Sequence, residues 1–185
     1  QQMYNFFHSS THRWEILLSQ YDKECLTVKT LSKTRWSARA DASKAMHKSY
    51  KQIIAALQDI TSNEENKKDV RLEAKQLIEK LQSLEMTMMI CFWNKVLMKF
   101  HDISVRLQSE DGDLDQTALS YELLESFLSS LRNEEQFSNF ESEAKLMCNS
   151  QEYKQDIDNT RKKKPKIPLG ESKEGHWHTE FDGRK

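Results

Sequence analysis

Arg35 and Trp36, flanked by Lys33 and Arg39, are the residues whose types and spacing point most directly to chemistry, and that chemistry is non-covalent. If Thr34 caps a helix, Arg35 and Trp36 fall in its first turn, where unpaired backbone N–H groups and the positive end of the helix dipole favour a phosphate. An indole beside an anion site is a stacking platform for a base, and such stacking contributes about 1–3 kcal/mol per base. The same residues admit a plainer reading, with Trp36 packed against a neighbouring helix and Arg35 reaching to water.

Other chemistry-bearing groups carry weaker patterns. Asp111, Asp113, Asp115 and Glu122 stand at positions 1, 3, 5 and 12 of a calcium loop, but the turn needs Gly at position 6 and Gln116 is there. Capping by Asp113 or Asp115 at the start of the next helix explains those acids better. His176-Trp177-His178 offers two imidazoles with no third ligand nearby, and Cys25, Cys91 and Cys148 are widely spaced without a C-x-x-C. Neither a metal site nor a disulfide framework is expected from them, and a reducing compartment is the default. No Gly-rich phosphate loop, G-x-S-x-G elbow or H-E-x-x-H occurs, so no cofactor is expected. Arg161, Lys162, Lys163, Lys164 and Lys166 form a basic run with the character of a nuclear-import signal or of a solvated linker.

The elements that must position these groups are helical. The first glycine is Gly112 and both prolines, Pro165 and Pro168, lie near the end, so residues 1–111 lack the usual material of tight turns. Ser10 or Thr11 caps a short predicted helix bearing Trp14, Ile16, Leu17, Leu18 and Tyr21, and Leu26 to Leu31 alternates as an extended connector. From Thr34 one helix is predicted through Ile60, with Ala38, Ala42, Ala45, Met46, Ser49, Ile53, Ala56, Leu57 and Ile60 on one face and Lys44, Lys48 and Lys51 opposite. After a polar corner at Thr61 to Asn66, the residues Val70, Ala74, Leu77, Leu81, Leu84, Met88 and Cys91 form a heptad-like seam on which another helix should pack. The pattern continues through Phe92, Val96, Phe100, Ile103 and Leu107, stops at Ser109 to Asp115, and resumes at Leu119, Leu123, Leu124, Phe127, Leu128 and Leu131. A last weak helix holds Phe137, Phe140, Ala144 and Met147. The expected fold is all-α, an antiparallel helical bundle over residues 1–155, followed by a basic, disordered tail over residues 156–185.

Charge is segregated along the chain. Between Cys25 and Gln58 seven basic residues face one acid, whereas between Gln108 and Thr160 thirteen acids face three basic residues. One segment attracts polyanions and the other repels them. The 185 residues, with 28 Lys+Arg against 29 Asp+Glu, suit one domain with a tail. A mean hydropathy of −0.82 excludes a membrane protein, and Met86 to Trp93 is far shorter than the ~20 apolar residues a spanning helix needs. A start at Gln1 with no leader predicts a piece of a longer polypeptide.

Tyr4-Asn5-Phe6-Phe7-His8-Ser9-Ser10-Thr11-His12-Arg13-Trp14-Glu15-Ile16-Leu17, Leu31 to Ala42 and Tyr50 resemble the hAT-type transposase-derived domains found in zinc finger MYM-type proteins. The likeness extends more loosely through Cys91-Phe92-Trp93, Leu107-Gln108-Ser109-Glu110-Asp111 and Leu114-Asp115 to the basic run near Arg161. The resemblance implies the helical insertion domain of an RNase H-like transposase core, in which an Arg-Trp pair positions a flipped base at a DNA end. That pair falls on Arg35 and Trp36, with Lys33 and Arg39 beside it. The catalytic carboxylates and the C-x-x-H motif of the family would lie outside this sequence, so the implied role is nuclear, nucleic-acid-associated and not catalytic alone. The alternative expectation is a protein-interaction module, with a second copy or a partner helix lying along Val70 to Cys91.

Overall fold

The three- and four-residue apolar steps become eight helices among the described residues, and no strand occurs there. The computed structural model describes residues 1–32, 36–108, 114–150 and 152–153, with 114–117 described by their backbone alone. The helices are α1 (Gln2–His8), α2 (Thr11–Ser19), α3 (Trp36–Lys48), α4 (Tyr50–Ser62), α5 (Lys68–Leu81), α6 (Leu84–Leu107), α7 (Leu114–Ser130) and α8 (Glu134–Met147). All lie within one compact unit, Gln1–Lys154. The all-helical, bundle-type expectation holds, while the tail and its basic run lie outside the described residues. Among the described residues no helix is long and apolar enough to cross a membrane.

The 24-residue α6 organises the packing, touching α3, α5, α7 and α8, while α4 packs on α5 and α2. Ile53, Leu57 and Ile60 of α4 are fully buried in one cluster that also holds Ala74, Leu77 and Leu81 of α5 and Leu84 and Cys91 of α6. Lys44, Lys48 and Lys51 are exposed, as their placement opposite the apolar face requires. The short α1 carries Met3, Phe6 and Phe7 into the same core, and Arg13 of α2 lies over the Phe6 ring at 4.6 Å.

Three expectations need correction. The single helix expected through Ile60 is divided at Ser49, whose hydroxyl accepts from Leu26 N–H at 2.8 Å and donates to Leu26 C=O at 2.9 Å. A hydroxyl bonded to a distant backbone competes with regular helix geometry, and Ser49 takes φ −103° and ψ 20° while the bonds Ser49 N–H to Ala45 C=O and Ile53 N–H to Ser49 C=O persist. The predicted polar corner starts late, because α4 continues through Ser62.

The seam is the third correction. It is split between α5 and α6, because Ser83 caps α6 by accepting from Met86 N–H at 3.3 Å. Leu81 C=O, freed at the break, accepts from Tyr50 Oη at 2.8 Å and Thr87 Oγ1 at 3.0 Å, so a buried helix end is satisfied by hydroxyls rather than by water. Helix does pack on helix there, but Ala74, Leu77, Leu81, Leu84 and Cys91 are consumed by the internal core. They are closed to a second copy or to a partner helix.

The acidic stretch is partly described. Asp111 and Asp113 lie outside the described residues; Asp115 is already inside α7 and so is not its cap. With α7 starting at Leu114, the fourth position of the would-be calcium loop is helical, which the loop geometry does not allow. α7 rests on α6 with none of its apolar side chains at 118–130 fully buried; Ser120 is its buried residue, and Leu119, Tyr121 and Leu123 are exposed.

Candidate functional site

The connector from α2 ends where α3 begins, and this junction builds a groove. Gln1 Oε1 accepts from Leu31 N–H at 2.9 Å, which holds the end of the connector against the start of α1. Arg39 Nε donates to Ser32 C=O at 3.4 Å, which ties the same connector to α3. Trp36 and Arg39 stand three residues apart and so share a helical face. The Arg39 guanidinium lies 5.3 Å from the Trp36 ring centroid, within cation–π range.

Below Trp36 runs α6, whose Met86, Met89, Ile90, Trp93, Leu97 and Phe100 recur at three- and four-residue steps. Trp36 stacks on Phe100 with ring centroids 5.7 Å apart and an interplanar angle of 18°. The stack leaves Trp36 51% exposed, so it is not a core residue. Trp36, Arg39 and the α6 residues Met86, Met89, Ile90, Trp93 and Leu97, together with Met3 and Tyr4 of α1, line a groove of about 860 Å³ whose walls are mostly apolar. Met86, Met89 and Trp93 are themselves exposed in it.

Lys29 Nζ lies 2.8 Å from Asp41 Oδ2, so part of the positive charge of this segment is already neutralised within the chain. The hydrogen bond from Lys29 holds the Asp41 carboxyl below the usual carboxylate range, and the partial burial of that carboxyl opposes the shift. Of the four residues expected to form the nucleic-acid site, Trp36 and Arg39 are brought together, while Lys33 and Arg35 lie outside the described residues, as does Thr34. No family model, curated protein or solved structure matches the chain.

The α6 wall of the groove is the part that sequence reasoning missed. Its signal was present: α6 is apolar on more than one face, which in a bundle means either complete burial or a face left for something else. Phe100 was placed on the inward pattern, yet it serves as the floor beneath Trp36.

A second group of reactive side chains lies between α3, α6 and α8. His47 Nε2 is 2.8 Å from Glu143 Oε1, and the Cys91 thiol points at Met147 Sδ, 3.5 Å away. Burial, reinforced by the Glu143 charge, pushes the Cys91 thiol up to about 12. It is therefore a protonated thiol at neutral pH rather than a nucleophile. All three cysteines are free.

Proposed function

We propose that this chain is a nucleic-acid-binding helical domain of hAT transposase-like type, in which the Trp36 groove receives an unpaired base at a DNA end. The observation that carries the reading is the half-exposed Trp36, stacked on Phe100 and accompanied by the Arg39 guanidinium at the mouth of an apolar groove. Splayed bases are held by this combination: an aromatic face, a guanidinium plane and an apolar recess. Arg35 and Lys33 precede Trp36 directly in the sequence and supply the phosphate contacts in this reading. In this reading the chain acts in the nucleus and cuts no DNA alone.

One assay tests both parts. Hairpin, flapped and plain duplex DNA are titrated by fluorescence anisotropy between about 50 and 200 mM salt, then incubated with Mg²⁺ or Mn²⁺. Binding to unpaired ends is expected to exceed binding to plain duplex and to weaken with salt, and no cleavage is expected. Equal affinity for all three DNAs would remove the base-capture reading, and metal-dependent nicking by the purified chain would remove the non-catalytic one.

A second reading is favoured by Met86, Met89, Ile90, Trp93 and Leu97 on the α6 wall. Methionine is adaptable, and an apolar groove of this composition suits the apolar face of an amphipathic helix from a partner protein. Such binding would depend little on salt, whereas phosphate contacts are strongly salt-dependent.

A further inference from the structure

His47 in the last turn of α3, Cys91 on α6 and Glu143 on α8 present one nitrogen, one sulfur and one oxygen ligand atom, all within 4.8 Å of one another. We propose that these three residues bind a single zinc-class divalent cation, the Cys91 thiol releasing its proton to solvent as the metal–sulfur bond forms. Tetrahedral zinc, with bonds of about 2.0–2.3 Å, holds its ligand atoms roughly 3.5 Å apart, so adjustments of about an ångström convert the observed cluster into a coordination shell. A mixed N, S and O set suits zinc, whereas calcium and magnesium demand oxygen throughout. Three protein ligands leave the fourth position open to water.

A further observation, separate from the ligand distances, points to the same place. Cys91 and Glu143 line a cavity of about 500 Å³ that is also lined by Asn94, one helical turn beyond Cys91 on α6. Asn94 Oδ1 is buried and has no hydrogen-bond partner. An orphaned buried acceptor is costly, and in this proposal a rotation of the Asn94 amide lets it accept from a water carried by the metal. The cavity provides a path of entry, and Glu143 is 46% and His47 28% exposed, so both can move to meet an ion while Cys91 stays fixed in the core.

Two lysines also line the cavity and would oppose a cation, but each is engaged elsewhere. Lys95 Nζ donates to Gln136 Oε1 at 3.0 Å and lies over the Phe140 ring, and Lys99 Nζ lies over the Phe127 ring at 5.8 Å. Asp102, on the same cavity wall, adds negative charge. The His47–Glu143 contact alone leaves the Asn94 carbonyl unsatisfied.

The test uses the full chain with His176 and His178 replaced by alanine, so that the tail imidazoles cannot bind metal. Zn²⁺ titrated by calorimetry is expected to bind one per chain and to raise the Tm. Co²⁺ in its place should show a thiolate-to-cobalt absorption band and the visible bands of a tetrahedral site. Cys91→Ser should abolish the thiolate band, and Glu143→Gln should weaken Zn²⁺ binding by at least about 10–100-fold. Asn94→Leu should raise the Tm of the metal-free protein while weakening Zn²⁺ binding about tenfold, a combination that a purely structural role for Asn94 would not produce. Failure to bind Zn²⁺ would overturn the proposal. So would a thiolate band that survives Cys91→Ser or disappears with Cys25→Ser, or Zn²⁺ affinity unchanged in Glu143→Gln, a variant at an exposed position that should fold normally.

Discussion

Phe7→Ala is expected to destabilise the chain by about 3–5 kcal/mol, the cost of truncating a fully buried aromatic. Phe7 is 0% exposed and belongs to the same core as Ile53, Leu57 and Ile60, although it comes from a helix of only seven residues at the edge of the bundle. A helix that short does not persist alone, so α1 is held by what it buries, and the loss of Phe7 should release α1 and uncover Leu17 and Val28 with it. For a chain of 185 residues the expected fall in Tm is roughly 6–20 °C. Thermal melting followed by circular dichroism measures it, and a shift of only a degree or two would mean that α1 is an appendage rather than part of the core. The groove would suffer as well, since Met3 and Tyr4 form one of its walls.

Trp36→Ala is expected to do the reverse, changing binding far more than stability. Its ring is half exposed and its principal partner is the single Phe100 face, so its truncation should cost well below the ~3–5 kcal/mol of a core aromatic. If an unpaired base stacks in the groove, affinity for hairpin, flapped or single-stranded ends should fall by roughly 1–3 kcal/mol, with the weak binding to plain duplex almost unchanged. Arg35→Ala should weaken both, because a phosphate contact does not distinguish them. Melting temperature and end binding are measured on the same variant, the binding well below the melting point. End binding that survives Trp36→Ala would leave the groove to an apolar partner, and a large loss of Tm would return Trp36 to a structural role.

From α2 onward the helices were legible because their apolar steps are local, whereas their breaks and the short α1 (Gln2–His8) were not. Ser49 divides α3 from α4 through a pair of hydrogen bonds to Leu26, a partner 23 residues away, and nothing in the run from Ala38 to Ile60 announces it. The division of the seam at Ser83 shares this character in part, since the Tyr50 hydroxyl reaches Leu81 C=O from 31 residues away, while Thr87, six residues on, adds a local bond. The seam residues themselves were correctly read as apolar contacts, but periodicity cannot say whether the helix that covers them belongs to the same chain.

The candidate sites divide along the same line. Trp36 and Arg39 share a face because they are three residues apart, and any reader of helical spacing can pair them. Phe100 beneath them is fixed only by the packing of α3 on α6. His47 and Glu143 are 96 residues apart and carry no spacing signature, so their meeting with Cys91 could be found only in three dimensions.

The way α7 is attached has a consequence for motion. A helix that packs on α6 with no apolar side chain at 118–130 fully buried can detach while the core around α4 stays closed. Its amide hydrogens then exchange with solvent through a low-energy local opening, on a scale set by α7 alone, while those of Ile53, Leu57 and Ile60 wait for the whole bundle to unfold. α7 is thus the part whose order can change at least cost, while α8, which carries Phe140 and Ala144 into the core, stays with the part that keeps its shape.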